Sequence, residues 1–117
     1  MESILVSIKK LLGIQEEYDV FDPDLIIHIN SVFSTLTQLN IGPKEGFYIE
    51  DDSATWEDYD TSSSVNFVKT YIFLKVKLLF DPPSSNAVLE SMNRTISEIE
   101  FRLYVEGDNN DALEGGE

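Results

Sequence analysis

The sequence predicts an all-α protein: a small bundle of about four helices, with a long loop between the second and third helices and a disordered acidic C-terminal tail. Apolar residues recur at spacings of three and four, which is the period of a helix face. Asp22-Pro23 provides a helix start, and Asp81-Pro82-Pro83 provides a break. At 117 residues the chain suffices for one domain. We expect a helical domain over residues 1–106 and a flexible acidic tail over residues 107–117.

The first two predicted helices have clear start signals. Helix one begins after Glu2 or Ser3, whose side chains can accept hydrogen bonds from free N–H groups, and ends near Leu12, with lysines 9 and 10 at its negative end. Helix two begins at Asp22, with proline in the first turn, where its missing donor costs nothing, and ends near Asn40. The stripe of helix two that we assign to the core contains Leu25, Ile29, Val32 and Leu36.

Residues 41–63 are predicted to form a long connection, because they lack a sustained period. We expect a short strand at residues 47–49 and a helical turn at residues 56–59. A loop of this length is usually functional or disordered, and its large aromatic side chains argue against disorder. We therefore assign four of them to a candidate interface with another subunit or partner: Phe47, Tyr48, Trp56 and Tyr59.

Helix three, residues 65–80, is apolar on two faces and is capped by Ser63 or Ser64. A helix of this kind is either central in a bundle or reserves one face for another subunit. We assign one face to the core, with Val68, Ile72, Val76 and Leu79. The other face joins the candidate interface, with Phe67, Tyr71, Leu74 and Leu78.

Helix four, residues 86–106, is amphipathic. Its predicted core residues are Leu89, Met92, Ile96, Ile99 and Leu103. On the opposite side, Arg94, Glu98 and Arg102 stand four residues apart, which predicts a stabilising ladder of charges. The following segment has almost nothing to bury, so we expect it to be disordered unless a partner captures it.

The charge balance restricts the class of function. The chain has 22 acidic and 8 basic residues, for a formal net charge of −14. Such a field repels the phosphate backbone, which excludes tight DNA binding. The acidity is compatible with a charge that simply keeps the protein in solution, or with a surface that must not adhere to DNA. The alternative is an acidic DNA mimic that inhibits a DNA-binding protein.

The residues offer little for catalysis, and we expect neither an enzyme nor a cofactor. Without cysteine the chain has no thiolate nucleophile or thiolate metal site, and the single histidine, His28, has no second histidine to share a metal. No Gly-rich phosphate loop is present. The acid cluster at residues 50–52 could bind a divalent cation, but it lacks the calcium-loop pattern. A calcium-binding module therefore stays a third hypothesis. Lysines interrupt the longest apolar stretch, so no membrane span is expected.

Four segments together resemble one protein family: residues 8–14 (IKKLLGI), residues 21–30 (FDPDLIIHIN), residues 39–43 (LNIGP), and the helical hairpin of residues 71–94. In order and spacing they are similar to the small head-tail connector, or adaptor, proteins of tailed bacteriophages. The resemblance covers most of residues 3–106.

The resemblance implies a structural protein with no catalytic residues to carry over. Connectors of this family form a ring, expected to be twelve-fold, below the portal at the DNA exit vertex. The implied partners are further copies of the chain, the portal protein, and the next neck or tail completion protein. DNA is only passing cargo in the channel. The implied location is the head-tail junction of the virion, after synthesis in the bacterial host cytoplasm.

Overall fold

The computed structural model describes residues 2–60 and 65–115, with side chains through Asn109. It confirms the expected all-α fold, with a long loop after the second helix, and residues 2–60 and 65–115 contain no strand. The helices are α1 (Ile4–Leu11), α2 (Asp22–Gln38), α3 (Trp56–Tyr59), α4 (Val65–Phe80) and α5 (Asn86–Gly115). The serines expected to cap α4, Ser63 and Ser64, lie outside the described residues.

The strand expected at residues 47–49 does not form, because the backbone N–H and carbonyl of Ile49 bond a side chain of α2 and not a neighbouring strand. The Ile49 N–H donates to Asn30 Oδ1 at 2.7 Å, and Asn30 Nδ2 donates to the Ile49 carbonyl at 2.9 Å. One amide on α2 thus satisfies both backbone groups of a buried loop residue. This pair fixes the start of the long loop against α2.

Helices α1 and α2 both end in the same backbone motif, which turns the chain back over the core. Gly13 has φ +81°, and the next N–H, of Ile14, donates to the Lys9 carbonyl at 2.8 Å. After α2, Asn40 takes the left-handed conformation with φ +64°, and the Ile41 N–H donates to the Leu36 carbonyl at 2.9 Å. These are Schellman caps, which satisfy carbonyls that the helix leaves free.

The helices pack in sequence: α1 on α2, α2 on α4, and α4 on α5. Leu79, which was assigned to the core, is 52% exposed. That assignment is wrong because the buried stripe of α4 continues from Val76 to the residue four positions later, which is Phe80. Phe80 packs against the core, and Leu79 faces solvent. Leu89 and Met92 in the first turns of α5 are only half-buried. The other predicted core residues are buried, namely Leu25, Ile29, Val32, Leu36, Val68, Ile72, Val76, Ile96, Ile99 and Leu103.

Helix α5 continues past Glu106, where the fourth helix was expected to end, and its backbone reaches Gly115. Gly107, expected to begin a tail, is buried inside this helix. A Cβ atom at Gly107 would lie 1.7 Å from the carbonyl oxygen of Leu39. The glycine therefore lets α5 cross directly over the end of α2, and this contact supports the helix beyond residue 106.

This crossing predicts the effect of Gly107→Ala. At an open helical position the change would stabilise by about 1 kcal/mol. Here the new methyl group overlaps a backbone oxygen, so we expect a net destabilisation of about 1–3 kcal/mol as α5 shifts away. Urea unfolding followed by circular dichroism measures the change, with Asp108→Ala on the exposed side as the matched control. A Gly107→Ala variant as stable as the parent would contradict the close approach.

Candidate assembly surfaces

The aromatic residues of the long loop are mostly core residues, not surface residues. Phe33 of α2 packs against Phe47 and Tyr59, with ring centroids 5.0 and 4.9 Å apart. Trp56 Nε1 donates to Ser7 Oγ at 2.8 Å. Trp56 and Tyr59 are buried, so their assignment to an interface is wrong: they dock the loop onto α1 and α2.

Two other loop aromatics differ in exposure. Phe47 is half-buried under the same cluster, and Tyr48 is 67% exposed. Their adjacent positions in an extended stretch send the two side chains to different environments. Of the four loop aromatics assigned to an interface, only Tyr48 stands free enough to meet a partner.

The second apolar face of α4 is covered by α5 of the same chain. Tyr71 is fully buried, and its hydroxyl donates to Glu100 Oε2 on α5 at 2.8 Å. Phe67, Leu74 and Leu78 are half-buried against the core. Tyr71 is therefore a core residue, and its assignment to an interface is wrong. The expected surplus of apolar surface on this helix is largely used within the chain.

The two buried tyrosines differ in how their hydroxyl groups are satisfied. Burial, a hydrogen bond to Glu100 and the charge of that carboxylate all raise the pKa of Tyr71 above its usual range. Burial, with the charges of Asp60 and Glu106, also raises the pKa of Tyr59. The Tyr59 hydroxyl has no hydrogen-bond partner within the described part of the chain. Both side chains therefore stay neutral at physiological pH.

This difference predicts opposite responses to the same substitution. Tyr71→Phe removes a hydrogen bond to a carboxylate that is still 41% exposed and can rehydrate, so we expect a loss of about 1 kcal/mol. Tyr59→Phe removes an unsatisfied buried hydroxyl, so we expect no loss, or a gain of up to about 1 kcal/mol. Urea midpoints of the two variants measure the contrast. An equal loss for both variants would show that the Tyr59 hydroxyl has a partner.

Exposed apolar side chains gather instead on the outer side of α5. Phe101 is 69% exposed and Val105 is 42% exposed, and the spacing of four places them on one side of the helix. Arg94 and Arg102, the only arginines of the chain, line shallow grooves beside them. We call these four residues the α5 face.

The predicted charge ladder on this helix does not form as ion pairs. Neither Arg94 nor Arg102 has a carboxylate oxygen of any described residue within 4 Å, although Glu98 lies between them in sequence. The Arg102 guanidinium instead lies 5.9 Å from the centroid of the Phe67 ring. Two cationic groups thus remain on a surface whose surroundings are acidic and apolar.

A second exposed apolar surface lies between α1 and α2, in residues 15–21, which we call the acidic segment. Tyr18, Val20 and Phe21 are 48%, 63% and 37% exposed, and they are interleaved with Glu16, Glu17 and Asp19. The Phe21 ring contacts Tyr18 at 5.6 Å edge to face. It also contacts Phe80 at the end of α4, at 5.2 Å.

A buried lysine holds the acidic segment in place. Lys9 is 1% exposed, and its Nζ donates to the Glu16 carbonyl at 2.8 Å and pairs with Asp22 Oδ1 at 2.9 Å. From the sequence we placed Lys9, like Lys10, at the negative end of the helix, and this placement did not indicate that Lys9 is buried. The signal that it missed is that Lys9 follows buried Leu5 by four residues and so shares its inward side.

The acid cluster at residues 50–52 lies beside the acidic segment, and carboxylates of both line one open groove. Asp51 accepts hydrogen bonds from the Ser53 hydroxyl and N–H, which lower the pKa of its carboxyl group. Among the residues that the structure describes, no group of three or more histidine, cysteine or acidic side chains is arranged to hold a metal ion. His28 is half-buried on α2. The groove is therefore a concentration of negative charge, without the geometry of a metal centre.

Comparison with known proteins gives a match to a protein family. The family model described as "Phage connector protein" matches residues 4–110, which is nearly the whole chain. No curated protein matches, and no solved structure matches. Within residues 2–60 and 65–115, no helix combines the length and apolar character that crossing a membrane requires. The match covers all five helices except the last turn of α5, so the chain belongs to the phage connector protein family, whose role is a structural one in the neck of the virion.

Proposed function

We propose that this chain is the subunit of a ring that lies between the portal and the tail, completes the filled head, and leaves a channel for the genome. The observation that carries the proposal is the family match over residues 4–110. The partners are other copies of the chain, in a ring of twelve, the portal protein on one side, and the next neck or tail completion protein on the other.

The exposed apolar residues support assembly with other proteins. Phe101, Tyr104, Val20 and Tyr48 each expose more than 60% of their surface in the single chain. Burial of such area contributes about 25 cal/mol per Å² on association. A ring subunit that packs against neighbours on two sides, and against proteins above and below, would bury much of this surface.

The net charge supports passage of DNA without adhesion. Affinity for DNA comes largely from lysine and arginine that neutralise phosphates. A subunit with a net charge of −14 supplies few such groups and repels the duplex. A channel wall made of these copies would let the genome slide, both during packaging and during ejection.

A phage with this gene interrupted tests the proposal. We expect electron microscopy of the lysate to show heads and tails that are separate, and we expect wild-type protein supplied in trans to restore tailed particles. Purified wild-type virions should contain the chain by mass spectrometry. Tailed, infectious particles formed without the chain would contradict the proposal. An acidic DNA mimic would instead be found bound to a DNA-binding protein and absent from virions.

A further inference from the structure

We propose that the α5 face of one copy binds the acidic segment of the next copy, and that this head-to-tail contact builds the ring. The inference rests on the proposed function, because it requires that copies of the chain assemble side by side. It goes beyond that function by assigning the two surfaces that meet.

The two surfaces are complementary in charge. The α5 face has Arg94 and Arg102, and neither forms an ion pair with a described residue. The acidic segment has Glu16, Glu17 and Asp19, all exposed. Two copies that each have a net charge of −14 repel at long range, so most orientations are unfavourable. A contact that places the exposed arginines against carboxylates is favoured over the others.

The two surfaces also match in their apolar content. Phe101 and Val105 stand among the arginines of the α5 face, and Tyr18 and Val20 stand among the carboxylates of the acidic segment. On the acidic segment, carboxylates alternate with exposed apolar groups. On the α5 face, the apolar groups stand beside arginines, and Glu98 and Glu106 line the same grooves. The two surfaces can bury their apolar side chains centrally while the charges pair around them. A contact between two acidic segments would oppose like charges.

The two surfaces lie on different parts of the chain. The α5 face lies on the last helix, which packs on α4, and the acidic segment joins α1 to α2. A contact between two different surfaces of identical subunits is heterologous, and it leaves one free copy of each surface at the ends of the growing assembly. Such contacts form a closed ring when the rotation that relates one subunit to the next, repeated a whole number of times, makes one full turn.

The acidic segment is already fixed in the single chain. Lys9 contacts the segment at the Glu16 carbonyl and pairs with Asp22 just after it, and Phe21 is seated on Phe80. A segment that is ordered before binding loses less conformational entropy on association. The Arg102 side chain is likewise placed against the Phe67 ring. A buried lysine that holds an exposed apolar segment in shape is consistent with a segment that binds a partner.

Cross-linking within assembled particles tests the contact. The chain has no cysteine, so Ser97→Cys in the groove of the α5 face and Gln15→Cys in the acidic segment introduce a unique pair, and both parent residues are exposed. Neither substitution removes a charged or apolar group that the contact uses. Virions that contain the double variant are treated with a short bis-maleimide. We expect a ladder of dimers, trimers and larger species, because each copy is linked to two neighbours.

The controls separate this inference from the proposed function. Each single-cysteine variant should stay monomeric on denaturing gels, and Ser97→Cys combined with Ser34→Cys, an exposed position on α2, should give no ladder. A ladder from this control as strong as from the test pair would overturn the assignment. If the chain is present in virions but the test pair gives no ladder, the assignment of surfaces is wrong and the proposed function stands. Absence of the chain from virions contradicts the proposed function itself.

Charge reversal gives a second measurement. Arg94→Glu with Arg102→Glu opposes like charges, and we expect the ladder to fall by about tenfold or more. Glu16→Lys with Glu17→Lys should cause a similar loss. The combination of all four changes should restore the ladder, since the charges are exchanged, and each variant should keep its helical circular dichroism. A ladder that is unaffected by either reversal, or not restored by their combination, would overturn the proposal.

Discussion

Replacing Ile72 by aspartate is expected to unfold the chain. Ile72 lies at the centre of α4 with no exposed surface, on a helix that packs against both α2 and α5. A carboxylate placed there has no partner and also loses the apolar contacts of the isoleucine, at a cost of roughly 4 kcal/mol or more. That cost is a large part of the 5–15 kcal/mol that holds an ordinary domain folded. Far-UV circular dichroism of the purified variant should show loss of helix.

The matched control is Ile27→Asp. Ile27 lies on α2 and is 65% exposed, so the same substitution leaves the new carboxylate in water. We expect its unfolding midpoint to stay close to that of the parent chain, because surface changes usually alter stability by less than about 0.5 kcal/mol. If Ile72→Asp kept full helicity and a cooperative transition, the central position of α4 would be wrong.

Replacing Lys9 by alanine is expected to give the second largest effect. The change leaves the Glu16 carbonyl and the Asp22 carboxylate without the ammonium group that both contact, and it opens a void where the side chain was buried. Breaking a buried pair costs about 3–5 kcal/mol, and the 25% exposure of the Asp22 side chain lets it recover some hydration. We expect a loss of about 2–4 kcal/mol in the free energy of urea unfolding.

The neighbouring lysine provides the control for this prediction. Lys10 follows directly on α1 and is exposed, so Lys10→Ala should change stability by less than about 0.5 kcal/mol. Lys9→Ala should also increase protease cleavage within residues 15–21, because the segment loses its anchor. Equal stability of the two variants would mean that the buried ammonium group does not hold the segment.

The helical fold could be predicted from the sequence because the residue patterns that start, end and orient a helix are local. The Asp22-Pro23 start and the apolar stripes predicted α2 closely, and the proline break placed the turn between α4 and α5. The long loop was also found, because it lacks any apolar period. These signals depend on neighbours within one or two turns of helix, which a single sequence contains.

The position of aromatic side chains could not be predicted in the same way. Trp56 and Tyr59 are buried because Ser7 and Phe33, distant in sequence, receive them. Tyr71 is buried because α5 covers the second face of α4 and offers Glu100 as an acceptor. In the sequence, an aromatic residue in a loop or on the second face of a helix looks the same in two cases: when it packs within its own chain, and when it binds a partner. Only the tertiary arrangement decides between the two.

The candidate surfaces were missed for a related reason. The α5 face resembled an ordinary solvent-facing side of an amphipathic helix, with Arg94, Glu98 and Arg102 in a favourable spacing. In the structure the arginines form no ion pair there with a described residue, and Phe101 lies exposed beside them. The shape of the acidic segment depends on Lys9, whose burial requires tertiary contacts.

A cryo-electron microscopy reconstruction of the phage neck would show whether the chain forms a ring there. We predict a closed ring of this helical chain between the portal and the tail, around the channel that DNA occupies. Side-by-side copies should place the outer side of α5 against residues 15–21 of the neighbour. A neck reconstruction in which the portal joins the tail with no density for this chain would rule out the proposed ring.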